Sequence, residues 1–262
     1  MLMKLQVNGN EAFVATGGRA FDATLPSVVL LHGAGFDHTA WALHSRWFAH
    51  NGFSVLVPDL PGHGRSPGPA LGSIAGMADW TAALLNAAGT SSAHLIGHSM
   101  GSLIALETAA RHPDKVSALS LIGTAATMTV GPDLLKAAEA NDQAAIDMVS
   151  IWGLGFSAEL GGSLAPGLWM HGAAQRTLQH CAPGVLYSDL AACNAYADAL
   201  ASAAKVNVPT AVIIGERDMM TPAKAGKALA AAIANARTVV LAGAGHMMMS
   251  ERPDELLAAI RG

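Results

Sequence analysis

Residues 91–107 read SSAHLIGHSMGSLIALE, and the rest of the chain is organised around this stretch. Its first part, Ala93–Ile96, is an apolar run of strand length, whereas residues 102–110 are rich in Ala and Leu at helical spacing. A strand must therefore turn sharply into a helix near Ser99. Gly97 and Gly101 flank this serine at positions where a Cβ atom would collide with the adjoining strand or helix. The pattern predicts that the Ser99 hydroxyl is presented as a nucleophile at the end of a sheet, with the first amides of the helix aimed at the same point.

The length and composition of the chain indicate one large globular domain. The sequence has 262 residues, of which 52% are hydrophobic and 13% charged, and its formal net charge is −4. No cluster of Lys or Arg could neutralise a row of phosphates, so we expect no nucleic-acid partner. The apolar runs are too short for a membrane span, and residues 1–10 lack the apolar core of a signal peptide. We therefore expect a cytoplasmic protein without membrane association.

The sequence carries no strong metal or cofactor motif. Cys181 and Cys193 are not spaced as a metal-ligand pair, and we expect them to be reduced and partly buried. His180 beside Cys181 could contribute to a zinc site only with a second close pair of ligands, which the sequence does not offer. We expect no metal and no cofactor.

Short apolar strands alternate with helical segments over most of the chain. Residues 4–7 and 12–15 flank Asn8-Gly9-Asn10, which is a strong hairpin signal. The other predicted strands are Val28–Leu31, Ser54–Val57, Ala93–Ile96, Val116–Ile122, Thr210–Ile214 and Thr238–Leu241. This alternation indicates an α/β fold, with a mainly parallel sheet of about eight strands and helices on both faces.

The alternation stops between residues 126 and 205. No β-branched run occurs there, and the sequence predicts helical segments such as Asp133–Val149 and Ser188–Ala204, separated by glycine-rich turns. We interpret residues 126–205 as a helical cap inserted into a core formed by residues 1–125 and 206–262.

A second glycine-bearing loop follows the strand Val28–Leu31. In His32-Gly33-Ala34-Gly35, two glycines allow the backbone to turn its amides inward, as a donor to a developing oxyanion requires. It is not a dinucleotide-binding loop, because Phe36-Asp37-His38 stands where a third glycine would be needed. The alternative is a tight strand-to-helix turn without a catalytic part.

Ser99, Asp218 and His246 each follow a predicted strand. In a parallel sheet, functional groups gather in the loops at the carboxyl ends of the strands, so these three side chains should share one rim. Glu216 is an alternative acid. We expect structural roles for the nearby polar residues. His98 should lie beneath the nucleophile, and His32 should bond to loop backbone. The loop after the strand Ser54–Val57 should be fixed by Asp59, His63 and Arg65.

The order Ser, Asp, His, together with the elbow Gly97-His98-Ser99-Met100-Gly101, resembles the α/β-hydrolase family. Further stretches similar to that family stand in the same order along the chain; they are 31–35, 59–66, 215–218 and 245–246. The resemblance implies an α/β-hydrolase fold with a variable cap. It also implies a triad of Ser99, His246 and Asp218, the last at the family's position for the acid, and an oxyanion hole formed by the backbone amides of Met100 and Ala34.

Bulky apolar residues of the predicted cap, the Met that follows His246, and two glycines of the loop 32–35 are candidates for the substrate pocket. They are Gly33, Gly35, Trp152, Phe156, Trp169 and Met247. If they face the rim, the pocket is apolar and adaptable, and small to medium uncharged acyl esters are the expected substrates. The alternative is that these side chains only pack the cap onto the sheet. We expect a monomer or a small homo-oligomer that acts on a small-molecule ester-like substrate.

The chemistry of the triad favours hydrolysis of a carboxylic ester through an acyl-enzyme. The same triad could act on a lactone, a thioester or a carbon–carbon bond, or in perhydrolysis. Phe36-Asp37 replaces the longer glycine-proline loop of the carbon–carbon hydrolases. Haloalkane dehalogenases and epoxide hydrolases need a carboxylate in place of Ser99. A protein that keeps the triad only to bind a ligand is the remaining alternative.

Overall fold

The computed structural model describes residues 2–164 and 167–262. Eight strands form one sheet in the order β1-β2-β4-β3-β5-β6-β7-β8. The strands are β1 (Leu2–Val7), β2 (Asn10–Ala15), β3 (Ser27–Leu31), β4 (Ser54–Pro58), β5 (Ala93–His98), β6 (Val116–Ile122), β7 (Thr210–Gly215) and β8 (Arg237–Leu241). Strand β2 pairs antiparallel with β1 and β4, and the strands from β4 to β8 pair in parallel. The predicted α/β fold with a mainly parallel sheet is confirmed.

Twelve α-helices connect these strands in the described part of the chain. They are α1 (Ala42–His50), α2 (Ile74–Ala87), α3 (Met100–Arg111), α4 (Pro132–Glu139), α5 (Gln143–Trp152), α6 (Phe156–Glu159), α7 (Met170–His180), α8 (Val185–Ala195), α9 (Ala199–Ala203), α10 (Ala223–Ala231), α11 (Met248–Glu251) and α12 (Pro253–Arg261). Each of them is too short or too polar to span a bilayer.

The central strands are largely buried on both faces, which explains why most of their residues are apolar. Alternate residues point to opposite faces of a strand. On β3, for example, Val29 and Leu31 pack in the cluster that contains residues of α2, α3 and α10, whereas Val28 and Leu30 pack with residues of α1 and α12. Helices therefore cover the sheet on both sides.

The hairpin between β1 and β2 turns at Asn8 and Gly9. Both residues have positive φ, 53° and 82°, as expected of the two-residue turn that matches the twist of the strands. The register pairs Val7 with Asn10, so the predicted antiparallel edge is present.

Helices α4 to α9 lie between β6 and β7, in the segment predicted as a cap. We use the word cap only as a name for residues 126–205, and core for the rest of the chain. The sequence predicted one helix over Asp133–Val149, but the chain breaks between α4 and α5 at Asn141, which has a φ of 53°. Asp142 then caps α5 through the Ala144 amide. The helix predicted over Ser188–Ala204 is likewise divided into α8 and α9. Apolar residues of α4, α5, α7 and α8 form one cluster with Phe36 of the core.

Candidate active site

Ser99 stands on a strained corner between β5 and α3. Its φ of 53° and ψ of −120° are rare for a residue with a side chain, and such strain costs about 1–3 kcal/mol. The Ser99 amide donates to the Ile122 carbonyl oxygen at 2.9 Å, which holds the corner against the end of β6. A Cβ atom on Gly97 would lie 2.6 Å from the Ser102 nitrogen and closer still to Gly101. The flanking glycines are therefore required by backbone contact, as the sequence predicted.

Asp218 and His246 form a buried hydrogen-bonded pair. His246 Nδ1 lies 2.8 Å from Asp218 Oδ2, and both residues are at most 5% exposed. A carboxylate can only accept here, so Nδ1 carries the proton and the lone pair of the ring is on Nε2. His246 Nε2 is buried and makes no hydrogen bond to any described residue. The ring is thus oriented with a free basic nitrogen.

The Asp218 carboxylate is held ionised by donors on all sides. The amides of Met220 and Thr221 donate to Oδ1, and the Thr221 hydroxyl donates to Oδ2 at 2.6 Å. Burial by itself raises the pKa of Asp218, but the charge of His246 and the hydrogen bonds from His246 and Thr221 outweigh it, so that the pKa is lowered.

His98 supports His246 from below. Its Nε2 donates to the His246 carbonyl oxygen at 2.9 Å, and the two rings lie 4.6 Å apart. Burial, and then the neighbouring His246, lower the pKa of His98 to about 3, so this ring is neutral. These contacts are consistent with the structural role expected of His98, which stays a prediction.

The loop of residues 32–35 packs directly on the Ser99 corner. A methyl group built on Gly33 would lie 3.3 Å from Ser99 Cβ. His32 fixes this loop, because its Nδ1 donates to the Gly33 carbonyl oxygen and its Nε2 accepts from the Leu60 amide. Ala34 therefore lies in a loop that adjoins the first turn of α3, which begins at Met100.

One cavity of about 340 Å³ contains Ser99 and His246 in its wall. Its other lining residues belong to the core loops, to α4, α5 and α8 of the cap, and to cap residues 128–131 and 153. Among residues 2–164 and 167–262, no side chain of Lys, Arg, Asp or Glu lines it. An enclosure of this size and character suits a small uncharged molecule.

The structure separates the six predicted pocket residues into two groups. Gly33, Trp152 and Met247 line the cavity, together with Ala34. Phe156 and Trp169 are outside its lining, and their side chains are 76% and 69% exposed because they lie on outward-facing parts of the cap. Gly35 is also outside the lining. A Cβ atom there would lie 2.8 Å from the Leu178 side chain, because cap helices α7 and α8 pack on it.

The alternative acid and the remaining polar residues lie away from the His246 ring. Glu216 is half exposed and accepts from the Gly243 amide. Asp59 accepts from the amides of His38 and Arg65, as expected of a residue that fixes its loop. The polar residue with an unexpected contact is His63, whose Nε2 lies 2.7 Å from Asp189 of the cap.

Asp37, His38 and Asp59 form the one group of three possible metal ligands among residues 2–164 and 167–262. Both oxygens of Asp59 already accept hydrogen bonds. Oδ1 accepts from the amide and the ring of His38, and Oδ2 accepts from the Arg65 amide. The arrangement is accounted for by these bonds and lies outside the cavity.

Three polar residues near the site were not identified from the sequence. Thr221 follows Asp218 by three residues, a spacing at which such side chains often bond locally. Asp189 and Glu251 are buried carboxylates that accept from backbone amides far away in the sequence. The only signal for Asp189 was a lone acid in a largely apolar segment, and Glu251 lies among other charged residues that masked it. Most of the apolar lining was also missed; it comprises Phe36, Met128, Val130, Leu134, Val149, Leu186, Leu190, Cys193, Met219 and Met220.

Comparison with known proteins finds one matching family. A family model described as alpha/beta hydrolase fold matches residues 26–253. A pimeloyl-[acyl-carrier protein] methyl ester esterase of Chromobacterium violaceum is 34% identical, over 95% of this chain and 96% of its own length. The same-named esterase of Aromatoleum aromaticum is 31% identical, over 90% and 96%. An enol-lactonase of Burkholderia xenovorans LB400 superposes with a TM-score of 0.88 at 28% identity, covering 99% of this chain and 98% of that one.

Proposed function

Since the chain belongs to the alpha/beta hydrolase fold family, as an ester-cleaving hydrolase, we propose that it acts through a triad of Ser99, His246 and Asp218. The observation that carries this proposal is the free Nε2 of His246. In the part of the chain that the structure describes, that nitrogen is buried and has no hydrogen-bond partner. Its ring is fixed by Asp218, and His246 lies in the wall of the same cavity as Ser99.

The first half of the reaction forms an acyl-enzyme. Ser99 Oγ attacks the ester carbonyl carbon while His246 Nε2 takes the hydroxyl proton, because a serine hydroxyl is a poor nucleophile at its own pKa. Asp218 accepts a hydrogen bond from His246 Nδ1–H and stabilises the imidazolium that forms. His246 then returns the proton to the leaving alcohol. In the second half, water attacks the acyl carbon with His246 again as the base, and Ser99 is released.

The developing oxyanion needs donors that are already in place. We assign this role to the backbone amides of Met100, at the start of α3, and of Ala34, in the loop packed against Ser99. Removal of one such donor typically raises the barrier by about 3–4 kcal/mol. The positive end of α3 points to the same place and favours negative charge there.

The cavity supports small to medium uncharged substrates. Its wall of apolar side chains without Lys, Arg, Asp or Glu offers nothing to compensate a buried charge on the acyl group. Its volume of about 340 Å³ is at the lower end of ligand pockets. A lactone is a second candidate, supported by the similarity to the enol-lactonase. A lactone is an internal ester, so the chemistry is unchanged.

The test is turnover of a panel of p-nitrophenyl esters and simple lactones by the wild type and by Ser99→Ala. We expect hydrolysis of short neutral acyl esters, and a loss of about 10⁴-fold or more in Ser99→Ala. Mass spectrometry of the wild type, quenched during the burst, should show acylation at Ser99. Equal turnover by both proteins would contradict the triad, and faster hydrolysis of charged than of neutral esters would contradict the substrate class.

A further inference from the structure

Asp189 is a cap residue that reaches into the catalytic core. It lies on α8 and is fully buried, and its Oδ2 accepts two hydrogen bonds from separate parts of the core. One comes from the Gly35 amide at 2.8 Å and the other from His63 Nε2 at 2.7 Å. Gly35 closes the loop that contains Ala34, so this carboxylate is bound to the backbone beside a proposed oxyanion donor.

The hydrogen bonds of His63 define the charges of this cluster. His63 Nδ1 lies 3.1 Å from the Pro61 carbonyl oxygen, which can only accept. Because the Asp189 oxygen accepts as well, both ring nitrogens donate and His63 is an imidazolium. Burial lowers the pKa of His63, but the charge and hydrogen bond of Asp189 outweigh it, and the net shift is upward.

The other ionisable groups around this pair do not compensate Asp189. The ring of His32 lies 4.9 Å from that of His63 and is neutral, because burial and then His63 lower its pKa to about 4. Asp59 is a further negative charge near His63. The thiols of Cys181 and Cys193 are neutral, since burial and then Asp189 raise their pKa values. His63 is therefore the cation that balances the buried carboxylate.

The cap also fixes Gly35 sterically. Gly35 has a φ of 70°, and a Cβ atom on it would lie 2.8 Å from Leu178 and 2.9 Å from Leu186. These side chains belong to α7 and α8, so the cap packs against the loop at the point where Asp189 binds its amide. The steric contact and the hydrogen bond to the cap therefore both restrain the loop at Gly35.

We propose that Asp189 is a positioning residue for the reaction, which holds the oxyanion loop of residues 32–35 through the Gly35 amide. The inference rests on the proposed function. It adds that the cap sets the geometry of the oxyanion hole as well as enclosing the substrate. Transition-state stabilisation then depends on Asp189, whereas binding of the uncharged substrate does not.

The first test compares Asp189→Ala with Asp189→Asn, by kcat per titrated active site and by KM on a short p-nitrophenyl ester. We expect kcat to fall at least about tenfold in Asp189→Ala with KM within about threefold, because the donor is displaced rather than removed. Asp189→Asn keeps an oxygen for the Gly35 amide and should recover part of the loss. The matched control is Asp147→Asn in α5. The Asp147 carboxylate accepts from Gln143 and Gln175, which lie outside the cavity lining, so this variant should leave kcat unchanged.

The second test uses the double variant His63→Leu/Asp189→Leu, in case Asp189→Ala does not fold. Apolar side chains in place of a buried ion pair commonly preserve stability. This variant should therefore fold, yet leave the Gly35 amide without its acceptor. We expect a similar loss of kcat and faster hydrogen exchange of the Gly35 amide. A stable double variant with kcat within twofold of the wild type, or with unchanged Gly35 exchange, would overturn the proposal. A wild type without esterase activity would instead refute the proposed function, and Gly35 exchange would still report on Asp189.

Discussion

Gly101→Ala tests how closely the nucleophile corner must pack for activity. Gly101 is the second residue of α3, and its α-carbon faces the end of β3. A Cβ atom there would lie 2.7 Å from the His32 carbonyl oxygen and closer still to that of Leu31. Both contacts are with backbone, so no side chain can rotate away. An ordinary contact begins at 3.4 Å, and the helix start must therefore separate from β3 by roughly 1 Å.

This displacement moves Ser99 and the Met100 amide relative to the loop of residues 32–35. A misplacement of about 1 Å costs about 100-fold in rate, which corresponds to about 2.7 kcal/mol in the barrier. The cost in stability should be smaller. Overpacking costs about 1–3 kcal/mol, and the helix preference of Ala over Gly returns up to about 1 kcal/mol. For a chain of this size the net loss lowers the Tm by only a few degrees, at about 2–4 °C per kcal/mol.

The assay is kcat/KM on a short p-nitrophenyl ester, with thermal unfolding followed by circular dichroism. Gly72→Ala is the control, because a Cβ atom there meets nothing within 4 Å and Gly72 lies outside the site. We expect about 100-fold lower kcat/KM in Gly101→Ala and no change in Gly72→Ala. Gly101→Ala with kcat/KM within threefold of the wild type would refute the argument that backbone contact fixes the nucleophile.

Three further expectations follow from other contacts. Thr221→Val removes the hydroxyl that donates to Asp218, so the pKa of Asp218 should rise. We expect kcat to fall about tenfold, with a further loss at acid pH. An unchanged pH profile of kcat would contradict this expectation. His32 and His98 are buried neutral, with pKa values lowered to about 4 and about 3. Below pH 6.5 the unfolded chain therefore binds more protons than the folded protein. As the pH is lowered below that value, the free energy of unfolding measured with urea should decrease by about 1.4 kcal/mol per pH unit for each ring. Equal stability at pH 7 and pH 5 would contradict this expectation. Trp152→Ala enlarges the cavity and should shift the preferred p-nitrophenyl ester to longer acyl chains, whereas an unchanged chain-length profile would show that Trp152 does not limit it.

The sheet and the positions of the candidate triad could be predicted from the sequence because they depend on local signals. Each central strand is rich in apolar residues and is followed by a glycine or a polar residue, and parallel strands bring their carboxyl ends to one rim. Asp218 and His246 follow β7 and β8, and the structure brings them into a 2.8 Å hydrogen bond although they are distant from each other in sequence. Gly97 and Gly101 are local signals of the same kind. At both positions backbone atoms approach so closely that a residue with a side chain does not fit.

The cap could not be predicted to the same depth. Which side of a cap helix faces the cavity depends on where the helix breaks, and a single left-handed residue such as Asn141 changes that direction. Phe156 and Trp169 are apolar enough for a pocket, yet they are exposed, whereas Leu186 and Leu190 line the cavity. Asp189 meets Gly35 across 154 positions of sequence, and no local pattern reports such a contact.

Two buried carboxylates form hydrogen bonds between the cap and the core. Asp189 reaches from the cap to the Gly35 amide, and Glu251 of α11 accepts from the amides of Gly155 in the cap and Gly245 beside His246. Burial raises the pKa of Glu251 despite these amides, which shows how strongly the site disfavours unpaired charge. Removing a carboxylate from water costs several kcal/mol, so each is stable only while its donors stay aligned. Displacing the cap would deprive both of donors at once. The position of the cap and the hydrogen bonds of these two carboxylates are therefore coupled.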